Sequence, residues 1–300
     1  MSKTISRTAT KEQINTTKQD SFEIVIQPNR SWFYIDWRGL SYYRDLLFFL
    51  VRRDFISKYK QTILGPLWFI IQPLLMTLVF TVIFGKVARI PTDGLPPMLF
   101  YLCGLLAWRY FASCLNTTST TFVANAGLFG KVYFPRLIVP FSVIISNLLA
   151  FAIQLVTFLG FYIYFKYFTQ AGMNIQLNLF ILVLPLLLLQ TAAISLGVGL
   201  WLSALTAKYR DLQFLMGFLT QLWMYATPII YPMSMIPEKW RVFAALNPMA
   251  PIVEMFKYAF LGAGTIKPSY LLISAAITIF VLFSGILIFN RTERTFIDTV

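Results

Sequence analysis

The sequence predicts an all-α integral membrane protein with an N-terminal interfacial helix, six transmembrane helices and two short re-entrant gate helices before the last span. Of the 300 residues, 58% are hydrophobic and only 12% are charged, whereas soluble domains are about half apolar and about a quarter charged. Several apolar runs reach the roughly 20 residues that a helix needs to cross the hydrocarbon core. Histidine is absent, which removes the commonest metal ligand and general base, and no metal site is predicted.

The first 62 residues are predicted to lie outside the membrane-spanning helices. Residues 1–30 are polar and lack the apolar segment of a signal peptide, so we expect a disordered cytoplasmic tail. Residues 31–62 are predicted to form an interfacial helix region. The apolar run at residues 46–51 lies between charged clusters and is too short to span.

Residues 63–300 are predicted to form the six-helix transmembrane domain. The predicted spans are residues 64–85, 98–124, 137–165, 177–205, 212–231 and 270–289. The segment at about 232–262 is apolar, but four prolines divide it into pieces too short to cross. Because irregular backbone at membrane depth must be surrounded by protein or water, we interpret this segment as the two re-entrant helices.

The distribution of cations predicts the orientation. Six spans place both termini on one side, and that side carries 17 lysines and arginines, against 7 on the other. The positive-inside rule therefore places both termini in the cytoplasm. Topology and anionic lipid then account for much of the net charge of +13, so no nucleic-acid partner is predicted.

The cytoplasmic loop between the second and third spans combines cations, aromatics and a proline: Lys131, Tyr133, Phe134, Pro135 and Arg136. One interpretation is a membrane anchor with interfacial aromatics. The other is a docking knob for a cytosolic partner, because the proline would break the helix and turn an aromatic outward. The sequence leaves both open.

No nucleotide-binding motif is predicted in this chain. Gly130 and Lys131 resemble the end of a phosphate-binding loop, but Asn125 and Val132 stand where that loop needs glycine and a hydroxyl residue. We therefore expect no cofactor on this chain, and active transport would require ATP hydrolysis by another subunit.

Five stretches together resemble the membrane subunit of bacterial polysaccharide-exporting ATP-binding-cassette (ABC) transporters, the type-2 exporters of lipid-linked O-antigen, capsule or teichoic acid. They are residues 43–75, 104–111, 131–140, 207–212 and 226–232. The resemblance implies a homodimer in the bacterial inner membrane, two copies of a cognate ATPase that binds ATP and Mg, and a polyprenyl-pyrophosphate-linked glycan as substrate. It also implies that the loop at 131–136 meets the ATPase. For the second cytoplasmic turn, with Arg210 and Asp211, we expect a contact to the ATPase or to the interfacial helix, or simply a solvated helix end.

A glycan channel would suit a chain in which 17% of the residues are aromatic, because flat rings can support the apolar faces of sugars. The alternative is that most of these rings face lipid. Arg109, inside the second span, would meet an acidic sugar or phosphate, or would extend to the outer headgroups. The channel candidates are Trp68, Trp108, Arg109, Tyr110, Phe111, Trp201, Trp223, Tyr225 and Tyr231.

The interfacial helix carries a cluster of cations, Arg52, Arg53, Lys58 and Lys60. Adjacent cations at the headgroup level can hold the oxygens of a carrier pyrophosphate, and they can equally anchor the helix to anionic lipid.

Two other functional classes remain in competition. A permease for drugs or small lipids would need no sugar channel. An intramembrane glycan-transferring enzyme would need acidic residues at metal-binding or acid-base spacing, and none of the 12 Asp and Glu residues lies inside a predicted span.

Cys103 and Cys114 are eleven residues apart on one predicted helix, too far for a disulfide, and are predicted to be packing residues.

Overall fold

Every regular element in the described part of the chain is helical. The computed structural model describes residues 41–58, 60, 62–132, 134–264 and 266–296. The predicted tail, the start of the interfacial region and Tyr133 lie outside these residues. The helices are α1 (Arg44–Ser57), α2 (Trp68–Phe80), α3 (Pro97–Ser119), α4 (Thr121–Ala124), α5 (Ala126–Phe129), α6 (Ile138–Phe168), α7 (Leu184–Lys208), α8 (Leu212–Tyr225), α9 (Glu238–Leu246), α10 (Met249–Leu261) and α11 (Pro268–Phe296).

Five helical segments are long and apolar enough to cross a membrane. A 3-10 turn precedes both α2 and α7, and a π-helical turn extends α2. The five segments are Gly65–Val87, Pro97–Ser119, Ile138–Phe168, Leu179–Lys208 and Pro268–Glu293. They coincide with five of the six predicted spans.

The remaining predicted span, residues 212–231, is not a continuous helix. Helix α8 ends at Tyr225 after 14 residues, which is about 21 Å at 1.5 Å per residue and shorter than a bilayer core of about 30 Å. Pro228 explains the break, because a proline disfavours helical geometry in the residue before it and lacks a backbone donor. The next residues form an irregular, mostly buried segment.

Helix α3 is the centre of the bundle. Most of its side chains are buried, and it packs against α2, α6, α7, α8 and α10. A helix that is apolar on all sides is stable only when protein or lipid surrounds it. Cys103 and Cys114 are both buried and unpaired within α3, which confirms the packing prediction.

Helices α9 and α10 meet at Asn247 and Pro248. They have 9 and 13 residues, so neither is long enough to cross a bilayer. Nearly all of α10 is buried, whereas α9 exposes Trp240 and Phe243. The pair has the lengths predicted for re-entrant helices, and its insertion into the membrane stays a prediction.

Helices α7 and α11 approach closely because two glycines face each other at their crossing. A Cβ added at Gly197 would lie 2.7 Å from the backbone N and Cα of Leu282, and a Cβ at Gly285 would collide with the carbonyl of Gly197. The two backbones can therefore come this close only because both helices have glycine, which lacks a side chain, at the crossing.

We expect Gly197→Ala to lower stability, because even one methyl group must push the α7 and α11 backbones apart. Overpacking of this kind costs about 1–3 kcal/mol. The matched control is Gly217→Ala on α8, where an added Cβ meets nothing within 4 Å. Thermal unfolding of the purified protein should show a lower midpoint for Gly197→Ala and an unchanged or higher one for the control. Equal midpoints would show that the crossing is not tight.

Candidate functional site

The loop before α6 is tied to the last helix through Arg136. This side chain is only 6% exposed. Its Nη1 donates a hydrogen bond to the backbone oxygen of Glu293 at 2.9 Å, and its Nε lies 3.8 Å from the Glu293 carboxylate. The guanidinium also lies over the Phe129 ring at 5.2 Å. Arg136 therefore fixes the loop against α11.

The aromatic side chain of Phe134 does not turn outward, so Phe134 is not the exposed aromatic of the docking-knob prediction, and the other aromatic, Tyr133, lies outside the described residues. Phe134 is 4% exposed and packs against Phe129 with ring centroids 5.8 Å apart. Phe134 belongs to a hydrophobic cluster whose other residues come from α1, α4, α5, α6, α7 and α11. Lys131 is exposed and Pro135 is partly buried, so Lys131 is the cation of this loop that a partner can reach.

The turn between α7 and α8 exposes its charged side chains. Arg210 and Asp211 are both exposed. The structure thus leaves three of the proposed coupling residues, Lys131, Arg210 and Asp211, available for contact with another subunit.

Three of the channel candidates lie inside the bundle. Trp108, Tyr110 and Phe111 are between 0 and 4% exposed. Phe111 packs edge to face on Trp223 at 5.0 Å and lies 5.1 Å from Trp108. Assembly with other subunits can only increase burial, so in this conformation these three side chains build the core and do not line a channel. Helix α3 places them inward because it is the central helix.

The other aromatic candidates are at least partly accessible. Trp68 and Tyr225 are 45% and 44% exposed, and Trp201, Trp223 and Tyr231 are half-buried. Tyr231 and Tyr225 lie together, because the Tyr231 hydroxyl donates to the Tyr225 backbone oxygen at 3.4 Å.

Arg109 lies near the middle of α3, and its Nη2 donates to the backbone oxygen of Gln72 on α2 at 3.4 Å. Gln154 and Thr157 of α6 line the same small cavity. Among the described residues no carboxylate forms an ion pair with Arg109. A cation at this depth is costly unless it has polar partners, and the α2 carbonyl supplies one of them.

A buried ion pair holds the irregular segment after α8. The Lys257 ammonium is 3.6 Å from Glu254 Oε1, one turn away on α10, and both residues are at most 2% exposed. The ammonium also donates to the backbone oxygen of Pro228 and lies 3.8 Å above the Phe100 ring. Glu254 accepts from the backbone N–H of Met233 at 3.3 Å. The ion pair therefore supplies hydrogen-bond partners to backbone groups at both ends of the irregular segment, where the backbone is no longer helical.

The junction of α9 and α10 is fastened to the end of α8 by Asn247. Its Oδ1 accepts from Trp223 Nε1 at 2.9 Å and from the backbone N–H of Met249 at 3.1 Å. Its Nδ2 donates to Thr227 Oγ1 at 2.9 Å and to the Ala226 backbone oxygen at 3.3 Å. A single amide thus fixes both the junction and Trp223.

The same junction is also bound to α7 and α11. Ser274 Oγ donates to the Pro248 backbone oxygen at 2.7 Å and accepts from Gln190 Nε2 at 2.7 Å. Lys267 and Glu238 add an exposed contact of 3.1 Å between the start of α9 and the residue before α11. This contact lowers the pKa of Glu238 and raises the pKa of Lys267.

A polar cleft of about 370 Å³ lies between α1, α3, α4 and α6. All four predicted headgroup cations are exposed; Arg53 and Lys58 line the cleft, whereas Arg52 and Lys60 do not. Lys58 Nζ donates to Asn147 Oδ1 at 2.8 Å. Desolvation by burial lowers the pKa of Lys58, and the neighbouring Asp54 carboxylate opposes this shift.

The sequence did not predict the contacts that Lys257, Lys58 and Asn247 make in the structure. The three-residue spacing of Glu254 and Lys257 on a helix was a usable signal for the ion pair. No signal could have joined Lys58 to Asn147, 89 residues away, or identified Asn247 among the other asparagines.

A comparison with known families decides the class of protein. Residues 45–261 match the sequence model of the ABC-2 type transporter family. The chain belongs to this family. The match covers α1 to α10 and includes both the buried ion pair and the Asn247 junction.

Its relatives among characterised proteins include O-antigen export system permease proteins RfbA. The chain is 30% identical to one from Klebsiella pneumoniae over 87% of its length and 96% of the relative, and 28% identical to one from Myxococcus xanthus over 88% and 98%. It is 25% identical to the polysialic acid transport protein KpsM of Escherichia coli, over 83% of this chain and 94% of the relative.

Proposed function

We propose that this chain is the membrane permease subunit of an ABC transporter that exports a polyprenyl-linked, O-antigen-like polysaccharide across the bacterial inner membrane. The observation that carries the proposal is its similarity to O-antigen export permeases over nearly their whole length. The five membrane-length helical segments support it, because a permease must span the bilayer several times. The chain would then act as a transporter subunit and not as an enzyme.

We infer six crossings with both termini in the cytoplasm. Helix α8 would complete its crossing through the irregular segment at 226–232, which the Lys257 ion pair and Asn247 support from the protein side. The excess of lysine and arginine on the side of the termini supports the orientation.

The energy source would be two copies of a separate ATPase bound to a homodimer of this chain. Lys131, Arg210 and Asp211 would make the direct contacts because they are exposed on the proposed cytoplasmic side. Phe134 and Arg136 would act as positioning residues, since they hold the loop against α11. Tyr133 and Pro135 belong to the same loop and keep their proposed contact role.

We expect Lys131→Glu to reduce export and the co-purification of the ATPase, because it reverses a charge at the proposed contact. A matched control is Lys239→Glu, an exposed position on α9 on the opposite side in the proposed topology. Affinity purification of the tagged chain, with quantification of bound ATPase, measures the effect. Equal recovery for both variants would exclude Lys131 from the contact.

The glycan path would be lined by the aromatics that remain accessible, which are Trp68, Trp201, Trp223, Tyr225 and Tyr231. Weak contacts with ring faces would let a long polymer advance without being held at one point. Arg109 would meet acidic groups of the polymer as they pass. If Arg109→Gln left the export of every glycan of the cell unchanged, this role would be lost.

Complementation tests the proposed function. A strain that lacks this chain should lose a surface polysaccharide and regain it from a plasmid copy. Unchanged surface glycans combined with altered sensitivity to drugs would instead favour a small-molecule permease.

A further inference from the structure

The cleft between α1, α3, α4 and α6 has the size and the lining of a ligand site. Its volume of about 370 Å³ lies at the lower end of the range for small-molecule pockets. Ten of the thirteen residues that line it are polar or charged, and the hydroxyl and amide residues are Ser57, Thr117, Thr120, Thr121, Asn125, Ser146 and Asn147. Such a concentration of polar side chains is unusual in a chain of this composition.

Ser146 supplies an unsatisfied donor in the wall of the cleft. The residue is 1% exposed, and its Oγ has no hydrogen-bond partner among the described residues. Buried hydroxyls normally pair, because leaving one unpaired costs about 1–3 kcal/mol. A bound group that accepts a hydrogen bond would remove this cost.

Lys58 supplies the charge. Its ammonium has three N–H donors, and the contact recorded among the described residues is with the neutral amide of Asn147. Arg53, by contrast, is already paired with Asp54 at 2.8 Å. With one carboxylate and two cations, the cleft keeps a net positive charge centred on Lys58, which favours an anion over a neutral or cationic ligand.

The neighbouring surface of α1 indicates where that anion comes from. Phe48 and Phe49 are 76% and 64% exposed, on the helix that also carries Arg53 and leads into Lys58. Large exposed aromatics beside cations are typical of a helix lying at the lipid headgroup level. The mouth of the cleft is therefore at the depth of phosphate groups.

We propose that this cleft binds a phosphate group of a membrane lipid headgroup, with Lys58 and Ser146 as donors to its oxygens. The cytoplasmic position of the cleft rests on the proposed function, and so does the assignment of the lipid as the diphosphate carrier of the glycan. The phosphate chemistry itself does not depend on export. An anionic phospholipid offers the same chemistry, and the experiment separates the two sources.

The experiment measures binding of three probes to the purified full chain in detergent micelles by native mass spectrometry. The probes are geranylgeranyl diphosphate, a short-chain phosphatidylglycerol, and a diacylglycerol that lacks phosphate. We expect one phosphate-bearing molecule per chain, and roughly tenfold weaker binding in Lys58→Gln because a charged hydrogen bond is lost. Lys58→Arg should retain binding. Arg44→Gln removes one charge from the same helix outside the cleft and should leave binding unchanged.

Ser146→Ala separates a ligand role from a structural one. If the hydroxyl meets a phosphate oxygen, binding weakens several-fold while the unfolding temperature without lipid stays equal or rises, because an unpaired buried hydroxyl has been removed. Unfolding curves recorded on the same preparations show whether any loss of binding comes from misfolding.

Binding of the diphosphate alone would assign the cleft to the carrier, binding of phosphatidylglycerol alone would assign it to membrane lipid, and binding of both would leave a general phosphate site. Each of these results supports the proposal if Lys58 and Ser146 are required.

Equal binding of diacylglycerol, or equal phosphate binding in Lys58→Gln and Arg44→Gln, would overturn the proposal. If Lys58→Gln instead reduced ATPase recovery with phosphate binding intact, the cleft would be a protein contact and the proposal would also fall. Failure of the export function would appear separately, as unchanged surface polysaccharide in the deletion strain.

Discussion

Replacing Lys257 with methionine is expected to unfold or strongly destabilise the protein. The change leaves the Glu254 carboxylate buried without its cation and removes the donor to the Pro228 carbonyl. Breaking a buried ion pair from one side costs about 3–5 kcal/mol, which is a large share of the stability of most proteins. Yield in the membrane fraction and the thermal unfolding midpoint measure the loss.

The double variant Glu254→Gln/Lys257→Met distinguishes charge from packing. It should recover part of the lost stability, because no unpaired charge remains in the buried segment. Lys239→Met, at an exposed position of α9, is the control for removing a lysine and should behave as the wild type. A wild-type midpoint in Lys257→Met would mean that the ion pair does not hold the segment after α8.

Replacing Asn247 with leucine is expected to abolish export. The side chains have similar size, but leucine leaves Trp223 Nε1 and the Met249 N–H without their acceptor, whereas Thr227 Oγ1 keeps its hydrogen bond to the Trp223 backbone oxygen. Each buried group left unpaired costs about 1–3 kcal/mol, so the junction of α9 and α10 should separate from the end of α8. Surface polysaccharide and the unfolding midpoint should both fall.

A control for this change is Asn178→Leu. Asn178 precedes the 3-10 turn before α7, and no hydrogen bond is recorded for its side chain among the described residues. It should retain export and stability. If Asn247→Leu exported normally, the proposal that the junction holds Trp223 in the glycan path would be wrong.

Composition and the lengths of apolar runs predicted most of the architecture, because span length is set by the thickness of the bilayer and helices satisfy their own backbone. The prediction of one continuous helix over 212–231 was wrong, because hydropathy does not show that Pro228 ends α8. The two short helices α9 and α10 were predictable from the prolines that divide them.

The site residues were less predictable, since tertiary packing decides which face of a helix is accessible. Phe134 occurs in a loop rich in charge, yet the cluster around Phe129 buries it. Trp108 and Phe111 are aromatic residues of a span, and only the central position of α3 shows that they face inward. Contacts such as Lys58 with Asn147 join distant parts of the chain and leave no local pattern.

The most direct test of the export function is to deplete this chain in its host and locate the lipid-linked polysaccharide with a glycan-specific probe, in intact and in opened cells. If the chain is the export permease, polymer accumulates inside and disappears from the surface, because synthesis continues while the passage outward is closed. If the polymer were never made at all, the chain would act in synthesis, and that result would contradict the export function.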